Sequence, residues 1–309
     1  LLGKLGENMK LLVTGGTGLV GSSISNVDVR LGSKDADLKS WSQTDKLFNK
    51  HKPTSVIHCA ARVGGLGGNM SAKGEFYYDN IMMNTNVIEA CRKYNVEKLI
   101  CFLSTCVFPD NATYPLTEEM IHEGEPHSSN FGYAYAKRMA DVQIRAYKEQ
   151  YGLNYLSVIP CGVYGTNDNF DLNTGHVIPS LIHKCYIAKH TNTDFEVWGS
   201  GRPLREFLYS KDIGKICNYL IENHNGTDPI ILTSGLEYSI KDIVSLIVNA
   251  MEFKGNVKWL DDKPDGQYRK PASNKRLLSI IPDLEFTPIE VGIKETVEWF
   301  TENYERARK

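Results

Sequence analysis

Several features that mark large classes of proteins are missing from this sequence of 309 residues. No apolar run reaches the roughly 20 residues of a membrane-spanning helix, and no charged start followed by an apolar stretch marks a secretory signal. The net charge is -2, without a basic block or an acidic tail, so we expect neither nucleic acid nor membranes as main partners. The seven cysteines are odd in number and lack CxxC spacing, which argues against a disulfide scaffold and a zinc site. We therefore expect a soluble cytoplasmic protein without a metal centre.

What the sequence does contain is a regular alternation of strand-like and helix-like segments. Short β-branched runs, separated by helical stretches, occur at Lys10–Thr14, Val27–Leu31, Ser55–Ala60, Lys98–Ser104 and Tyr155–Pro160. This alternation predicts an α/β fold with a doubly wound parallel sheet of the Rossmann type. We assign residues 9–165 to this nucleotide-binding domain and residues 1–8 to a leader or an expression remnant. Residues 166–309 are assigned mainly to a smaller C-terminal α/β substrate lobe, with some segments returning to the sheet.

The second half of the chain has a looser pattern than the first. Amphipathic helices and short strands are predicted at Val177–Lys189, Phe195–Trp198, Pro229–Thr233, Ser239–Phe253 and Ile289–Ala307. Ser239 belongs to a residue type that caps helix N-termini, so it is the predicted start of its helix.

A glycine-rich segment follows the first predicted strand. Its residues are Gly15, Gly16, Thr17, Gly18, Leu19, Val20 and Gly21. GxxGxxG spacing between a strand and a helix is typical of the loop that binds a dinucleotide pyrophosphate through backbone N–H groups. The second strand runs into Lys34 instead of an acidic residue, and a lysine there suits the 2′-phosphate of NADP. Because Asp35 and Asp37 are close by, NAD stays open, but NADP is the predicted cofactor.

Very little chain connects this loop to the second strand. Only Ser22–Asn26 lies between them. A strand of six residues is about 20 Å long, whereas a helix over residues 17–26 returns only about 15 Å. We therefore predict that a segment is missing at about residues 22–30, through disorder or deletion.

A Tyr-x-x-x-Lys pattern occurs twice, at Tyr94/Lys98 and at Tyr133/Lys137. The first pair is predicted to join a helix end to a strand start, so its side chains need not share a face. The second pair lies in a periodic helix, where residues four apart stack on one side. We expect the Lys137 ammonium to lower the pKa of Tyr133 and so to favour proton donation to a carbonyl oxygen. Ser104, at the end of the fourth strand, is placed to hydrogen-bond the same oxygen.

Together these residues resemble the extended short-chain dehydrogenase/reductases that act on nucleotide sugars. The resemblance runs to the C-terminus through the segments Leu103–Pro109, Asn130–Met139, Gly175–Pro179 and Val197–Gly201. Members with such segments epimerise GDP-4-keto-6-deoxy-D-mannose at C3 and C5 and reduce its C4 ketone with NADPH. The resemblance therefore implies an NADP-dependent oxidoreductase with epimerase activity, and a homodimer built from helices of the nucleotide domain.

The resemblance also implies roles for single residues. Cys106 matches the family's epimerisation base, and His176 matches the acid that returns a proton on the opposite face of the ring. Residues two apart in an extended stretch point to one side, so we expect Cys106 beside Ser104, where a thiolate can remove protons α to a ketone. Further cofactor contacts are implied at Lys137, Pro160, Val163 and His176.

Substrate contacts are implied at Lys184, Trp198, Arg205 and Asp265. Cations among them suit the pyrophosphate of GDP. One departure from the family pattern is Cys161-Gly162, which stands where most members have Thr-Asn near the nicotinamide. Loss of the Asn side chain is expected to alter a hydrogen bond to cofactor or substrate.

Two other functions stay open at this point. A nucleotide-sugar 4,6-dehydratase or 4-epimerase shares the glycine loop and the Ser, Tyr and Lys, but dehydratases of this kind have an Asp-Glu pair after the Thr. Here Thr105 is followed by Cys106 and Val107, so no carboxylate pair is present. A non-catalytic NADPH-binding regulator is the second alternative, because fold alone does not fix function.

Overall fold

The structure, a computed structural model, describes residues 9–65, 70–263 and 267–309. Residues 1–8, the predicted leader, lie outside the described residues. The strands are β1 (Leu11–Thr14), β2 (Val29–Leu31), β3 (Ser55–His58), β4 (Lys98–Phe102), β5 (Asn154–Pro160), β6 (Val163–Tyr164), β7 (Phe195–Trp198), β8 (Leu204–Glu206), β9 (Leu208–Tyr209), β10 (Ile230–Leu232), β11 (Glu237–Ser239) and β12 (Val257–Leu260). The α-helices are α1 (Trp41–His51), α2 (Lys73–Lys93), α3 (Phe131–Tyr151), α4 (Val177–Thr191), α5 (Ser210–Asn223), α6 (Ile240–Met251), α7 (Lys275–Ile280) and α8 (Ile289–Glu302). Among the described residues, no helix has the length and apolar character needed to cross a membrane.

The main sheet contains six parallel strands in the order β10, β5, β4, β3, β1, β2. Its apolar strands are buried between two cores, as parallel strands covered on both faces require. One core is shared with α1, α2 and α3, and the other with α5 and α7. The predicted doubly wound α/β fold is therefore confirmed.

The direction of strand addition reverses at β1. The chain passes from β1 to β2 on one side and then returns to β3 on the other. In open α/β sheets, ligands bind in the crevice outside the carboxyl ends of the strands at such a reversal. The glycine loop begins directly after β1, so it lies at the position where a dinucleotide binds in this architecture.

The second half of the chain builds a core of its own. Helices α4, α6 and α8 enclose aromatic and aliphatic side chains such as Phe170, Phe195 and Phe300. Small sheets pair β7 with β12, β8 with β11 and β6 with β9. Ser239 caps α6 as predicted, because its hydroxyl accepts from the Asp242 N–H (3.0 Å). Strand β10 lies at the edge of the main sheet beside β5, and the division near residue 165 stays a prediction.

The crossover from β1 to β2 contains no α-helix. After one 3-10 turn at Gly21–Ser23, residues 24–28 lead to β2 without helical structure. The Asp28 N–H donates to the Leu11 carbonyl (3.0 Å), and Asp28 Oδ2 accepts from the Leu11 N–H (2.8 Å). Strand β1 has four residues and spans only about 13 Å, so a short non-helical segment returns the chain to its start. The prediction of a gap through disorder at residues 22–30 is wrong because it assumed a longer strand; a deletion stays a prediction.

Candidate active site

The glycine loop packs too closely for side chains at two of its positions. A Cβ added at Gly21 lies 2.3 Å from the Gly15 carbonyl oxygen, and one at Gly15, where φ is +64°, lies 2.7 Å from the Ala60 nitrogen. These contacts hold the turn against the sheet, as a pyrophosphate loop requires. The loop borders a cavity of about 960 Å³, called the main cavity below. The loop residues that line it are Gly15, Thr17, Gly18, Leu19, Val20 and Gly21.

The side chain of Arg30, on β2, forms hydrogen bonds with the backbone of the glycine loop and of the crossover. Its guanidinium donates to the carbonyl of Gly16 (3.1 Å) and of Ile24 (2.7 Å), and also to that of Gly21. An ordinary crossover helix would satisfy loop carbonyls with its own N–H groups. Because that helix is absent from the described crossover, the side chain of Arg30 satisfies them instead.

Replacing Arg30 with methionine is expected to lower the free energy of unfolding by about 1–3 kcal/mol, since hydrogen bonds from a charged donor are lost while the aliphatic stem is kept. Dinucleotide binding should weaken about tenfold, because the loop loses its fixed shape. Thermal unfolding and an NADPH fluorescence titration measure the two effects. Arg30→Lys keeps the charge without the fork and should fall between. Wild-type affinity in Arg30→Met would contradict this role.

The cations that line the main cavity near the glycine loop differ from the predicted Lys34. Lys34 is exposed and is not among the residues that line the main cavity. Lys39 and Arg62 line it instead, and both pair with Asp79, at 3.3 Å and 2.8 Å. The Gly32 N–H donates to Asp35 Oδ2 (2.7 Å), so that carboxylate closes the turn. Sequence reasoning missed Lys39 and Arg62 because neither lies directly after a strand in a known motif.

Ser104, Tyr133 and Lys137 all line the main cavity. Lys137 is buried, and its Nζ donates to the Phe102 carbonyl (2.7 Å) and lies 5.9 Å from the centre of the Tyr133 ring. Burial, followed by the nearby Cys106 thiol, raises the pKa of Tyr133, and a hydrogen bond with Ser104 opposes this. The expected lowering of the Tyr133 pKa by Lys137 is therefore wrong here, because burial of the phenol outweighs the interactions that favour its charged form. The raised pKa keeps the phenol protonated and makes it a weaker acid than an exposed tyrosine.

Cys106 lies on a 3-10 turn, Thr105–Val107, rather than on an extended strand. The turn begins at Ser104, whose hydroxyl accepts from the Cys106 N–H (3.3 Å). The extended geometry that we expected is therefore wrong, because β4 ends at Phe102. Ser104 and Cys106 nevertheless both line the main cavity. The turn, not strand alternation, brings them to the same wall.

His176 lies at the N-cap of α4 and reaches the main cavity. Its side chain is exposed to the cavity. Desolvation by the surrounding protein lowers the pKa of the imidazole, and the positive charge of Arg308 lowers it further. The same wall contains Asp168, whose Oδ1 accepts from the Asn169 N–H (2.7 Å). Its Oδ2 is buried and has no hydrogen-bond partner among the described residues. Burial raises the pKa of Asp168 to about 7.

The raised pKa of the buried Asp168 carboxyl predicts a pH dependence of stability in the cofactor-free protein. Its pKa lies near 3.8 in an unfolded chain and is about 7 in the fold. Ionising it inside the fold is therefore costly, so the contribution of Asp168 to the free energy of unfolding should fall between about pH 4 and pH 7. Asp168→Asn should remove this cost and raise the free energy of unfolding by about 2–4 kcal/mol at pH 8, with little change near pH 4.

Urea unfolding at several pH values measures this effect. Asp171→Asn is the matched control with the opposite sign, because hydrogen bonds from Thr174 lower the pKa of Asp171. That control should lose stability at pH 8. Equal pH profiles for wild type and Asp168→Asn would contradict the assignment.

Position 162 has no room for the asparagine of the family pattern. Gly162 has φ +43°, and an added Cβ would lie 2.0 Å from the Glu206 carbonyl oxygen. Strand β8 therefore approaches this segment too closely for a side chain. Cys161 is buried, and the neighbouring Pro160 and Val163 line the main cavity as predicted contacts should.

The predicted substrate residues lie in two places. Arg205 lines the main cavity, and its guanidinium donates to the Leu204 carbonyl (2.8 Å). Lys184 and Trp198 are not among the lining residues, but they lie together, with Lys184 Nζ 4.7 Å from the centre of the exposed Trp198 ring. Asp265 lies outside the described residues.

Lys270 is a lining residue that sequence reasoning missed. Its Nζ donates to the Thr105 carbonyl (3.3 Å), directly before Cys106. The two residues are 165 positions apart. Lysine in a polar stretch carries no periodic signal, so only the fold reveals this contact.

A dinucleotide loop at the reversal of a parallel sheet, with Ser, Tyr and Lys at the same cavity, defines a nicotinamide-dependent enzyme of the short-chain type. The model of the NAD dependent epimerase/dehydratase family matches residues 11–233, and the chain belongs to this family. It is 52% identical to the GDP-L-fucose synthase of Dictyostelium discoideum, with 97% of each chain covered. It is 42% identical to a probable GDP-L-fucose synthase of Drosophila melanogaster, with coverage of 97% and 99%. A GDP-L-fucose synthetase of Naegleria fowleri bound to NADP superposes with TM-score 0.94 at 46% identity, covering 99% and 96%.

Proposed function

We propose that the protein is a GDP-L-fucose synthase, which epimerises GDP-4-keto-6-deoxy-D-mannose at C3 and C5 and reduces the C4 ketone with NADPH. The observation that carries this proposal is a single cavity that joins the dinucleotide loop, the Ser104, Tyr133 and Lys137 set, and Cys106 with His176. Reduction alone needs only the loop and the first set. The added thiol and imidazole fit proton transfer at carbons next to a ketone. Relatives of that name cover nearly the whole chain.

The residues at the glycine loop fit NADPH. Gly15 and Gly21 leave no space for a Cβ, and the backbone of the loop faces the main cavity, where N–H groups bind a pyrophosphate. When bound, NADPH supplies a hydride to the carbonyl carbon of the substrate. Lys39 and Arg62 are the nearby cations on the cavity wall suited to a phosphate of the cofactor.

The protein's own groups would move the protons. The thiolate of Cys106 takes a proton from C3 or C5, and the electron pair left behind is delocalised onto the C4 carbonyl oxygen. The imidazolium of His176 returns a proton to the opposite face of the same carbon, which inverts it. The lowered pKa of His176 makes its imidazolium a stronger acid, although the imidazolium is a smaller fraction of the protein at neutral pH. Tyr133 then donates its proton to the C4 oxygen during reduction, and Ser104 hydrogen-bonds that oxygen.

The nucleotide would occupy the side of the cavity that faces the C-terminal lobe. Arg205 and Lys270 line the cavity there and suit the pyrophosphate. Lys184 lies on α4, about 12 Å along the helix from His176, and its cation–π pair with Trp198 offers a flat surface for the guanosine. Asp265 keeps its proposed role as a further contact.

The proposed assembly is a homodimer through α2 and α3. These helices pack against each other and expose aromatic and aliphatic side chains, namely Tyr77, Tyr78, Phe131, Val142 and Tyr151. Such side chains are typical of an interface. Sedimentation velocity tests this point, and a monomer at micromolar concentration would contradict it. We propose the cytoplasm as the location, because the seven cysteines are free thiols.

One assay tests the proposed activity. NADPH oxidation is followed after addition of GDP-4-keto-6-deoxy-D-mannose, and the sugar product is identified by NMR. GDP-L-fucose is the expected product. If a folded, NADPH-binding protein oxidises no NADPH with this or another 4-keto nucleotide sugar, the regulator is the better reading. If the product keeps its original C3 and C5 configuration, the epimerase part of the proposal is wrong.

A further inference from the structure

Asn130 occupies a helix cap position without acting as a cap. It is the N-cap residue of α3, and asparagine there normally accepts a hydrogen bond from an N–H of the first turn. No side-chain cap bond is present, and the backbone at Asn130 has φ −134° and ψ 21°. The side chain is therefore held by another interaction.

That interaction is with Cys106. The Nδ2 of Asn130 donates to the Cys106 Sγ at 3.0 Å, across 24 residues of sequence. The other amide atom, Oδ1, is buried without a hydrogen-bond partner in the part of the chain that the structure describes. Leaving a buried acceptor unpaired costs about 1–3 kcal/mol. In this rotamer the Asn130 side chain caps no N–H of α3 and leaves its own Oδ1 without a partner. The hydrogen bond to the Cys106 sulfur is the polar contact that the rotamer makes.

The turn around Cys106 is held on every side by side chains. Ser104 Oγ accepts from the Cys106 N–H, Arg138 Nε donates to the Val107 carbonyl (2.5 Å), and Lys270 Nζ donates to the Thr105 carbonyl. These bonds fix the backbone of the turn. Asn130 is the residue that reaches the sulfur itself.

Cys106 separates two cavities. It lines the main cavity and also a smaller one of about 160 Å³, which Asn130 lines as well. Asn130 is not among the lining residues of the main cavity. Besides Tyr133, the titratable residues that line a cavity with Cys106 include Lys137 and His176 at the main cavity, Asp110 and His127 at the smaller cavity, and Lys270 at both.

We propose that Asn130 is a positioning residue for the proposed epimerisation base: its amide N–H fixes the sulfur of Cys106 in the wall between the two cavities and stabilises the thiolate. The inference rests on the proposed function. A donor at 3.0 Å favours the charged form of an acceptor, and the amide stays neutral at every working pH, so the thiolate is stabilised without an opposing titration. Because the amide lies behind the sulfur, it acts through Cys106 and does not contact the substrate.

Two substitutions separate this role from helix capping. Serine and aspartate both cap helices well, so Asn130→Ser and Asn130→Asp keep the start of α3. Serine is too short to reach the sulfur, and an ionised aspartate repels the thiolate. The measurement is the rate of Cys106 alkylation by iodoacetamide as a function of pH, followed by peptide mass spectrometry. The midpoint should move to higher pH by about one unit for serine and further for aspartate.

Epimerisation should follow the same order. In D₂O, exchange at C3 and C5 of the substrate should slow about ten- to hundredfold at pH 7 in Asn130→Ser, and should recover at higher pH. Ser128→Ala is the matched control, since Ser128 is exposed, lies two residues before Asn130 and is not among the residues that line either cavity. A purely structural role would lower the melting temperature but leave the alkylation midpoint in place.

The wild-type chain provides a test that needs no substitution. With asparagine labelled by ¹⁵N, the side-chain amide of Asn130 should shift with pH at the midpoint of Cys106 alkylation. Two results would overturn the proposal. One is an unchanged pH midpoint of Cys106 alkylation in folded Asn130→Ser and Asn130→Asp, and the other is an Asn130 amide signal that does not change at that midpoint. If wild type exchanges no deuterium into any 4-keto sugar, the proposed function fails, whereas the alkylation and NMR results still decide the role of Asn130.

Discussion

The Cys106→Ser enzyme is expected to reduce its substrate without inverting C3 or C5. A serine hydroxyl is a far weaker base than a thiolate at neutral pH, so loss of the positioned base should slow epimerisation by roughly 10²- to 10⁴-fold. Ser104, Tyr133 and Lys137 are untouched, so reduction of the C4 ketone continues. The product should then be a GDP-linked 6-deoxy sugar with the original configuration at C3 and C5, which NMR distinguishes from GDP-L-fucose.

Deuterium incorporation makes this prediction quantitative. Wild type in D₂O should place solvent deuterium at both C3 and C5, and Cys106→Ser at neither. Cys59→Ala is the matched control, because Cys59 and Cys106 are the two described cysteines that are not fully buried. Burial raises the pKa of the Cys59 thiol well above its usual range, so that thiol is not available as a base. Normal epimerisation by Cys106→Ser would show that the base is another residue.

The sheet and the loop could be predicted because local sequence determines them. A strand buried on both faces needs a continuous apolar run, and residues 11–13 of β1 and 99–102 of β4 are such runs. The glycine loop is local in part: a Cβ at Gly21 would meet the Gly15 carbonyl of the same loop, whereas one at Gly15 would meet the backbone of Ala60, after β3. The predicted gap, however, assumed a strand of six residues, whereas β1 has four, so the distance that the crossover must return was overestimated.

The parts of the site that the sequence did not predict depend on contacts between distant residues. The 3-10 turn at Cys106 is held by Lys270 and Asn130, which lie far along the chain. The pKa of Tyr133 depends on burial, which the Tyr-x-x-x-Lys spacing does not encode. Lys34 satisfied a motif rule, yet Lys39 faces the cavity because the turn after β2 is closed by Asp35.

Replacing Tyr133 with phenylalanine is expected to have the opposite effect from Cys106→Ser. Proton donation by a positioned acid is worth roughly 10²- to 10⁴-fold, so NADPH oxidation should fall by that factor. Epimerisation should persist, because Cys106 and His176 still line the cavity. Substrate recovered from D₂O should therefore carry deuterium at C3 and C5 while its C4 ketone remains. NADPH binding should be retained, since Lys137 and the glycine loop are unchanged.

The raised pKa of Tyr133 sharpens this prediction. Because burial keeps the phenol protonated beyond the usual tyrosine range near pH 10, wild-type reduction should not decline through ionisation of Tyr133 below that range. Tyr135→Phe is the matched control, since Tyr135 lies on the same helix α3 but is not among the residues that line the main cavity. Near-normal NADPH oxidation by Tyr133→Phe would transfer the role of proton donor to Ser104, whose hydroxyl hydrogen-bonds Tyr133 and lines the same cavity. Equal losses in both tyrosine variants would instead indicate damage to α3, because only one of the two phenols can reach the ketone.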